Sequence, residues 1–238
     1  MAPMCAARRS PTPAQAGSVP LPGQSYRYLA YGSNLVSDGL ARYIGEVTAA
    51  DEATEVPGWH LRFQGRSTRW QGSPAIIMPD QTGRVKGRAW SLLHTQLISV
   101  VAGEAGVDDA TAERAIDTLL TRHARLGPPS PATHRTATVQ AAISQYDTVV
   151  VIAHPAGPLW AVTSSTTDVL RQRCEPYIAQ VLRGLTQLLG PDRATDEMEA
   201  ALARSNDLPP GPAITTPSHP PGGHIEQIAD AAGVDLHP

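Results

Sequence analysis

The stretch "YRYLAYGSNL", Tyr26 to Leu35, begins as a strand and ends in a turn. Tyr28, Leu29, Ala30 and Tyr31 are residues that suit a buried or half-buried strand. Gly32, Ser33 and Asn34 break that strand at once, being too small and polar to continue a core. The break has two compatible readings. Ser33 or Asn34 can cap a following helix and close a βα turn. Alternatively, the successive N–H groups of Tyr31, Gly32, Ser33 and Asn34 point one way and form an anion-binding nest. In that case Gly32 allows close approach, and the Ser33 and Asn34 side chains donate or lock the loop.

Working outward, helical and strand patterns alternate. Ser37–Tyr43 reads as a short helix, and "PGWHLRF", Pro57–Phe63, as a strand after a Pro-Gly turn. Ala75–Met78, the turn "PDQTG" and Val85–Leu93 read as a hairpin. A short helix follows, with Thr95 as N-cap and Gly103 and Gly106 at its end. The segment 109–126 is a second helix, with Asp108 and Asp109 at its positive start. "HRTATVQAAI" alternates like a strand, "DTVVVIAH" suits a buried one, and "GPLWAV" reads as a turn with a packed Trp160. Two helical patterns close the span, the first stopped by Gly190. The expected class is α+β, a small mixed β-barrel or sheet flanked by helices.

The expected organisation is a disordered leader over residues 1–25, one domain over 26–204, and a Pro/Gly-rich tail over 205–238 in which Ile225, Ile228 and Ala232 can line a short helix. At 238 residues the chain can bury one good-sized core. Its net charge of −3 and pI near 6.2 give no basic footprint for nucleic acid. Lys86 is the sole lysine among 19 basic residues, a sign of high-GC coding. Cys5 and Cys174 cannot build a disulfide framework, and the histidines show no metal-ligand spacing, so neither metal nor cofactor is expected. No apolar run is long enough to span a membrane and no secretory pattern opens the chain, which predicts a cytoplasmic protein.

At "YLAYGSNL" the sequence resembles the γ-glutamylcyclotransferase family (AIG2-like and butirosin-biosynthesis-type proteins), whose first strand carries an aromatic-x-Ala-Tyr-Gly-Ser-Asn run. Three further landmarks follow in family order. "TRWQGSPAIIMPDQTGRVKGRAWSL" has a Gly-Ser step and a returning Val-x-Gly-x-x-Trp strand. "VVAGEAG" places Glu104 seventeen residues after Gly87. "EPYIAQVLRGL" is similar to the family's Pro-x-Tyr helix, with a glycine two turns beyond the Tyr, here Tyr177 and Gly184. One departure stands out: where the family has a strand, often with a Tyr facing the site, the helix 109–126 intervenes.

The resemblance implies a cyclotransferase-type fold and cleavage of a γ-glutamyl amide without water. The glutamyl α-amine attacks its own γ-carbonyl, 5-oxoproline closes, and an amine departs, an activity of lyase or acyltransferase class. It implies Glu104 as the catalytic acid–base, and Tyr28, Leu29, Ala30, Tyr31, Gly32, Ser33, Asn34 and Tyr177 as the substrate-binding set. The partner is then a small γ-glutamyl molecule, with no nucleic acid, membrane or cofactor. The released amine is an amino acid, a glutathione-type peptide, or a small molecule deprotected during natural-product biosynthesis. The alternative is a non-catalytic binding module that keeps the fold and pocket, although a binder of an anionic glutamyl group gains little from a second buried anion.

Overall fold

The computed structural model describes residues 24–127, 129, 134–139, 146–165 and 173–206. The leader up to residue 23, the tail from 207 with its predicted short helix, and the last four residues of "HRTATVQAAI" lie outside these residues.

Strand β1 (Ser25–Ala30) is interior to a six-stranded mixed sheet. The others are β2 (Asp51–Phe63), β3 (Ala75–Leu93), β4 (His134–Thr138), β5 (Thr148–Ile152) and β6 (Leu159–Thr163), in the order β2-β3-β1-β6-β5-β4. β1 runs antiparallel to β3, with Tyr28 opposite Trp90, and parallel to β6, with Tyr28 opposite Trp160. The helices are α1 (Ser37–Ile44), α2 (His94–Ala105), α3 (Asp109–Leu126), α4 (Glu175–Leu189) and α5 (Pro191–Asn206). β1 opens at Ser25 and α5 ends at Asn206, so the ordered elements reach slightly past the expected span 26–204.

The two-residue period of β1 divides its side chains between two cores. Tyr26, Tyr28 and Ala30 join Leu97, Val101, Ile116 and Leu119 from α2 and α3. Leu29 and Tyr31 join Phe63, Val181, Leu185 and Met198 from β2, α4 and α5. Because both faces are covered, β5 and β6 are buried at every residue.

Three expectations are corrected. "PDQTG" does not reverse the chain: β3 is one strand of 19 residues, and its hairpin partner is β2, which starts at Asp51 rather than Pro57. The turn-forming residues instead build a bulge opposite Pro57–Trp59, where the Asp80 carboxylate accepts from both the N–H and the hydroxyl of Thr82 at 2.9 Å. Gly83 is required there, since a Cβ would sit 2.5 Å from the Trp59 carbonyl oxygen. A bulge increases local twist, and the ends of the sheet curl together until the Trp59 and His134 rings meet at 4.8 Å. "GPLWAV" is a strand, β6, rather than a turn. α2 starts at His94 with Leu93 as its N-cap, not Thr95; the Leu93 N–H donates to the Gln96 side chain at 2.9 Å.

Candidate active site

The turn after β1 is a single 3₁₀ turn, Ser33–Leu35, closed by the Leu35 N–H on the Gly32 carbonyl at 3.1 Å. α1 then starts behind Val36, with no side-chain cap. Neither Ser33 nor Asn34 therefore caps a helix. Asn34, 3 % exposed, turns its amide inward instead. Its Nδ2 donates to Glu104 Oε1 at 2.7 Å and lies 3.0 Å from the Tyr28 hydroxyl, while the Asn34 main-chain carbonyl accepts from the Trp90 indole at 2.9 Å. The first strand and the mid-chain acid are joined by one side chain.

Glu104 lies in the last turn of α2, just before Gly106 at φ 65° ends the helix in the left-handed region. Burial raises its carboxyl above the usual carboxylate range. The Asn34 amide and Tyr43 hydroxyl, and the nearby charges of Arg42 and Arg69, act in the opposite sense and temper that rise. Tyr43 reaches Glu104 because Gly103 has no side chain: a Cβ there would sit 2.3 Å from the Tyr43 ring. Arg42 lies on the same helix, with one guanidinium nitrogen 3.4 Å from the Ser33 hydroxyl.

The opposite wall is phenolic. α4 presses on the turn at Gly184, where a Cβ would be 2.3 Å from that of Leu35. This brings the buried Tyr177 hydroxyl to Gly32, where a Cβ would lie 2.9 Å from it. Gly32 has φ −118°, so it serves close approach rather than left-handed geometry. The Ala75 N–H donates to the Tyr177 oxygen at 3.0 Å, and the Ser33 amide lies at the same oxygen. Burial pushes the Tyr177 phenol up to about 12, so it remains a neutral donor. Tyr146 hydrogen-bonds Tyr177 and donates to the Ala75 carbonyl at 2.7 Å. Tyr31 donates to the Val162 carbonyl.

These groups border a cavity of about 270 Å³ that includes Ser33, Tyr43, Glu104, Tyr146 and Tyr177. A chamber of about 10 Å³ lies between Tyr28, Tyr31, Asn34 and Glu104. It has room for at most about one water. Of the expected residues, Glu104, Tyr28, Tyr31, Gly32, Ser33, Asn34 and Tyr177 border one or both spaces. Leu29 and Ala30 do not: they are 0 % and 1 % exposed within the two cores.

Sequence reading missed Tyr43, Tyr146 and the loop Arg66–Trp70, all of which line the larger space. Tyr146 brings a further phenol to the cavity although helix α3 and strand β4 separate it from Glu104 in the chain. Among the described residues, no group of three or more His, Cys, Asp or Glu could hold a metal ion, and no helix is long and apolar enough to cross a membrane.

No family model and no curated protein matches the chain. Among solved structures it is similar to a γ-glutamyl cyclotransferase at 16% identity, over 88% of this chain and 98% of that one, with a TM-score of 0.45. It is also similar to YkqA from Bacillus subtilis at 19% identity, over 79% and 56% of the two chains, TM-score 0.42. A glutathione-specific γ-glutamyl cyclotransferase from yeast is similar at 11% identity, over 75% and 96%, TM-score 0.34.

Proposed function

We propose that the chain converts a γ-glutamyl amide into 5-oxoproline and a free amine by ring closure. The observation that carries this reading is the 2.7 Å bond from Asn34 to Glu104, which sets a proton acceptor on the rim of the β1 turn and in the wall of the cavity. The cavity can hold a curled five-carbon acid with its amine beside its own γ-carbonyl. Reactants held about 3–3.5 Å apart in that way avoid most of the entropic barrier of a bimolecular step.

Glu104 takes a proton from the substrate α-ammonium, and its raised proton affinity makes it a stronger base than an ordinary carboxylate. The freed amine forms the new C–N bond at the γ-carbon. The oxyanion that develops is met by a neutral donor, for which the Tyr177 hydroxyl is suited, since its oxygen accepts from the Ala75 and Ser33 N–H groups and leaves its own proton to donate. Glu104 returns that proton to the leaving nitrogen as the old C–N bond breaks, and the second proton of the ring nitrogen follows by way of the same carboxylate, so that the lactam keeps one N–H and the amine departs as an ammonium. No water enters the balance, so free glutamate is not a product.

The test is incubation of the full chain with a panel of γ-glutamyl amides, measuring 5-oxoproline and glutamate separately. We expect 5-oxoproline alone, and at least ~10²-fold lower turnover for Glu104→Gln with an unchanged fold. Free glutamate would mean hydrolysis. Binding of the amides with no product from any of them would mean a binding module.

A further inference from the structure

The small chamber between Tyr28, Tyr31, Asn34 and Glu104 has Val162 as a further wall. The hydrogen bonds of Asn34 define what this space lacks. A carboxylate oxygen can only accept, so the Asn34 amide must turn Nδ2 toward Glu104. Its two N–H groups are then taken up by Glu104 Oε1 at 2.7 Å and the Tyr28 oxygen at 3.0 Å. That leaves Oδ1, which is buried and meets no hydrogen-bond donor among the described residues. It also leaves the Tyr28 hydrogen, because the Tyr28 oxygen accepts from Asn34 and burial keeps this phenol protonated. Tyr31 gives its own hydrogen to the Val162 carbonyl and keeps a lone pair on its oxygen. Two acceptors and a donor thus border one space of about 10 Å³.

A buried acceptor without a donor is destabilising, and buried waters typically make about three bonds to such groups. We propose that the chamber is a binding site for one ordered water, which donates to Asn34 Oδ1 and the Tyr31 oxygen and accepts from the Tyr28 hydroxyl. The water latches the amide. In the ring-closing reading, on which its role in the cycle rests, Glu104 carries a proton between taking it from the substrate and returning it. A protonated carboxyl can donate, and a free Asn34 amide would turn over to offer it Oδ1. By holding Oδ1, the water keeps Nδ2 on Glu104, so the charged form stays favoured and the proton moves on to the leaving nitrogen. Tyr28 then acts through the water and Asn34, as a positioning residue.

Magnetic resonance of the full chain, with labelled asparagine side chains, reads the site without turnover. We expect a rotating-frame contact from water to the Asn34 side-chain amide that persists below the Glu104 midpoint. Val162→Ile pushes a methylene into the chamber, leaves every polar group in place and should abolish the contact. Val162→Ala enlarges the chamber and should keep it, which separates loss of the water from a disturbed core. Without the latch Asn34 can serve the protonated acid, while Tyr43, Arg42 and Arg69 still act on Glu104 as before. The acid limb of the kcat/KM profile should therefore move to higher pH in Val162→Ile, by about one pH unit, the scale of one hydrogen bond. It should stay in place in Val162→Ala. No contact in the wild type, or a contact that survives Val162→Ile, would overturn the site. An unmoved acid limb in a variant that has lost the contact would overturn the latch. The wild-type spectra decide the site even if Val162→Ile does not fold. If the contact behaves as expected and no γ-glutamyl amide yields 5-oxoproline, the ring-closing reaction falls and the water site stands.

Discussion

At Glu104, four neighbouring groups oppose one physical effect. Burial raises the carboxyl, while Asn34, Tyr43, Arg42 and Arg69 hold it from rising further. The working form in our reading is the carboxylate, so activity should fall as pH drops through a midpoint above the ordinary range for Glu. Tyr43→Phe keeps the ring packed on Gly103 but removes the hydroxyl that favours the charged form. The sign is then fixed: the pKa rises and the acid limb of the kcat/KM profile shifts to higher pH. At pH well above that midpoint the loss should be small. A profile with unchanged acid limb would mean that Tyr43 does not tune Glu104. Sequence could not supply Tyr43, because its reach depends on a missing side chain on another helix. A glycine inside α2, costing about 1 kcal/mol against Ala, was the local hint that something presses there.

The elements that carry the site were legible where their signal was local. The break after Tyr31, the stop at Gly106 and the apolar stripe of α4 all appear in the fold as read. The bulge in β3 was not, because Pro, Asp and Gly signal a bend without saying whether the chain reverses or only twists. Partner register decides that, and register is a non-local property. β6 was missed for a similar reason, as four apolar residues and a threonine become a strand only beside β5 and β1. Gly184 of α4 shows how contact outweighs propensity. On an isolated helix, replacing it with Ala would gain about 1 kcal/mol. Here the added Cβ would lie 2.3 Å from that of Leu35, and overpacking of this kind costs about 1–3 kcal/mol. We therefore expect Gly184→Ala to lower the denaturant midpoint. It should also raise KM, since Leu35 adjoins Asn34 and the turn would be displaced. A stabilised variant would show that the helix and turn relax apart at no cost.

At the scale of the whole molecule, the curled sheet needs its long β2–β3 ribbon held against the helices, and α5 does this. Ser205, 4 % exposed near the end of α5, accepts the Phe63 N–H at 2.8 Å and donates to the Ala201 carbonyl at 2.7 Å. Phe63 ends β2, and its ring meets Tyr177 at 6.2 Å, so this single hydroxyl links α5, the ribbon and the wall of the cavity. A boundary drawn at 204 leaves it out, because its role depends on a strand more than a hundred residues earlier. Ser205→Ala in the full chain removes an acceptor without adding bulk. It strands a buried backbone N–H, a loss of about 1–3 kcal/mol. For a domain of this size that corresponds to a drop in Tm of ~2–4 °C per kcal/mol. Ser205→Thr keeps the oxygen and should recover part of the loss, which separates the hydrogen bond from packing. If Ser205→Ala melts with the wild type, this hydroxyl is not what holds the ribbon, and α5 keeps it through apolar packing and the Arg204 bond to the Leu61 carbonyl.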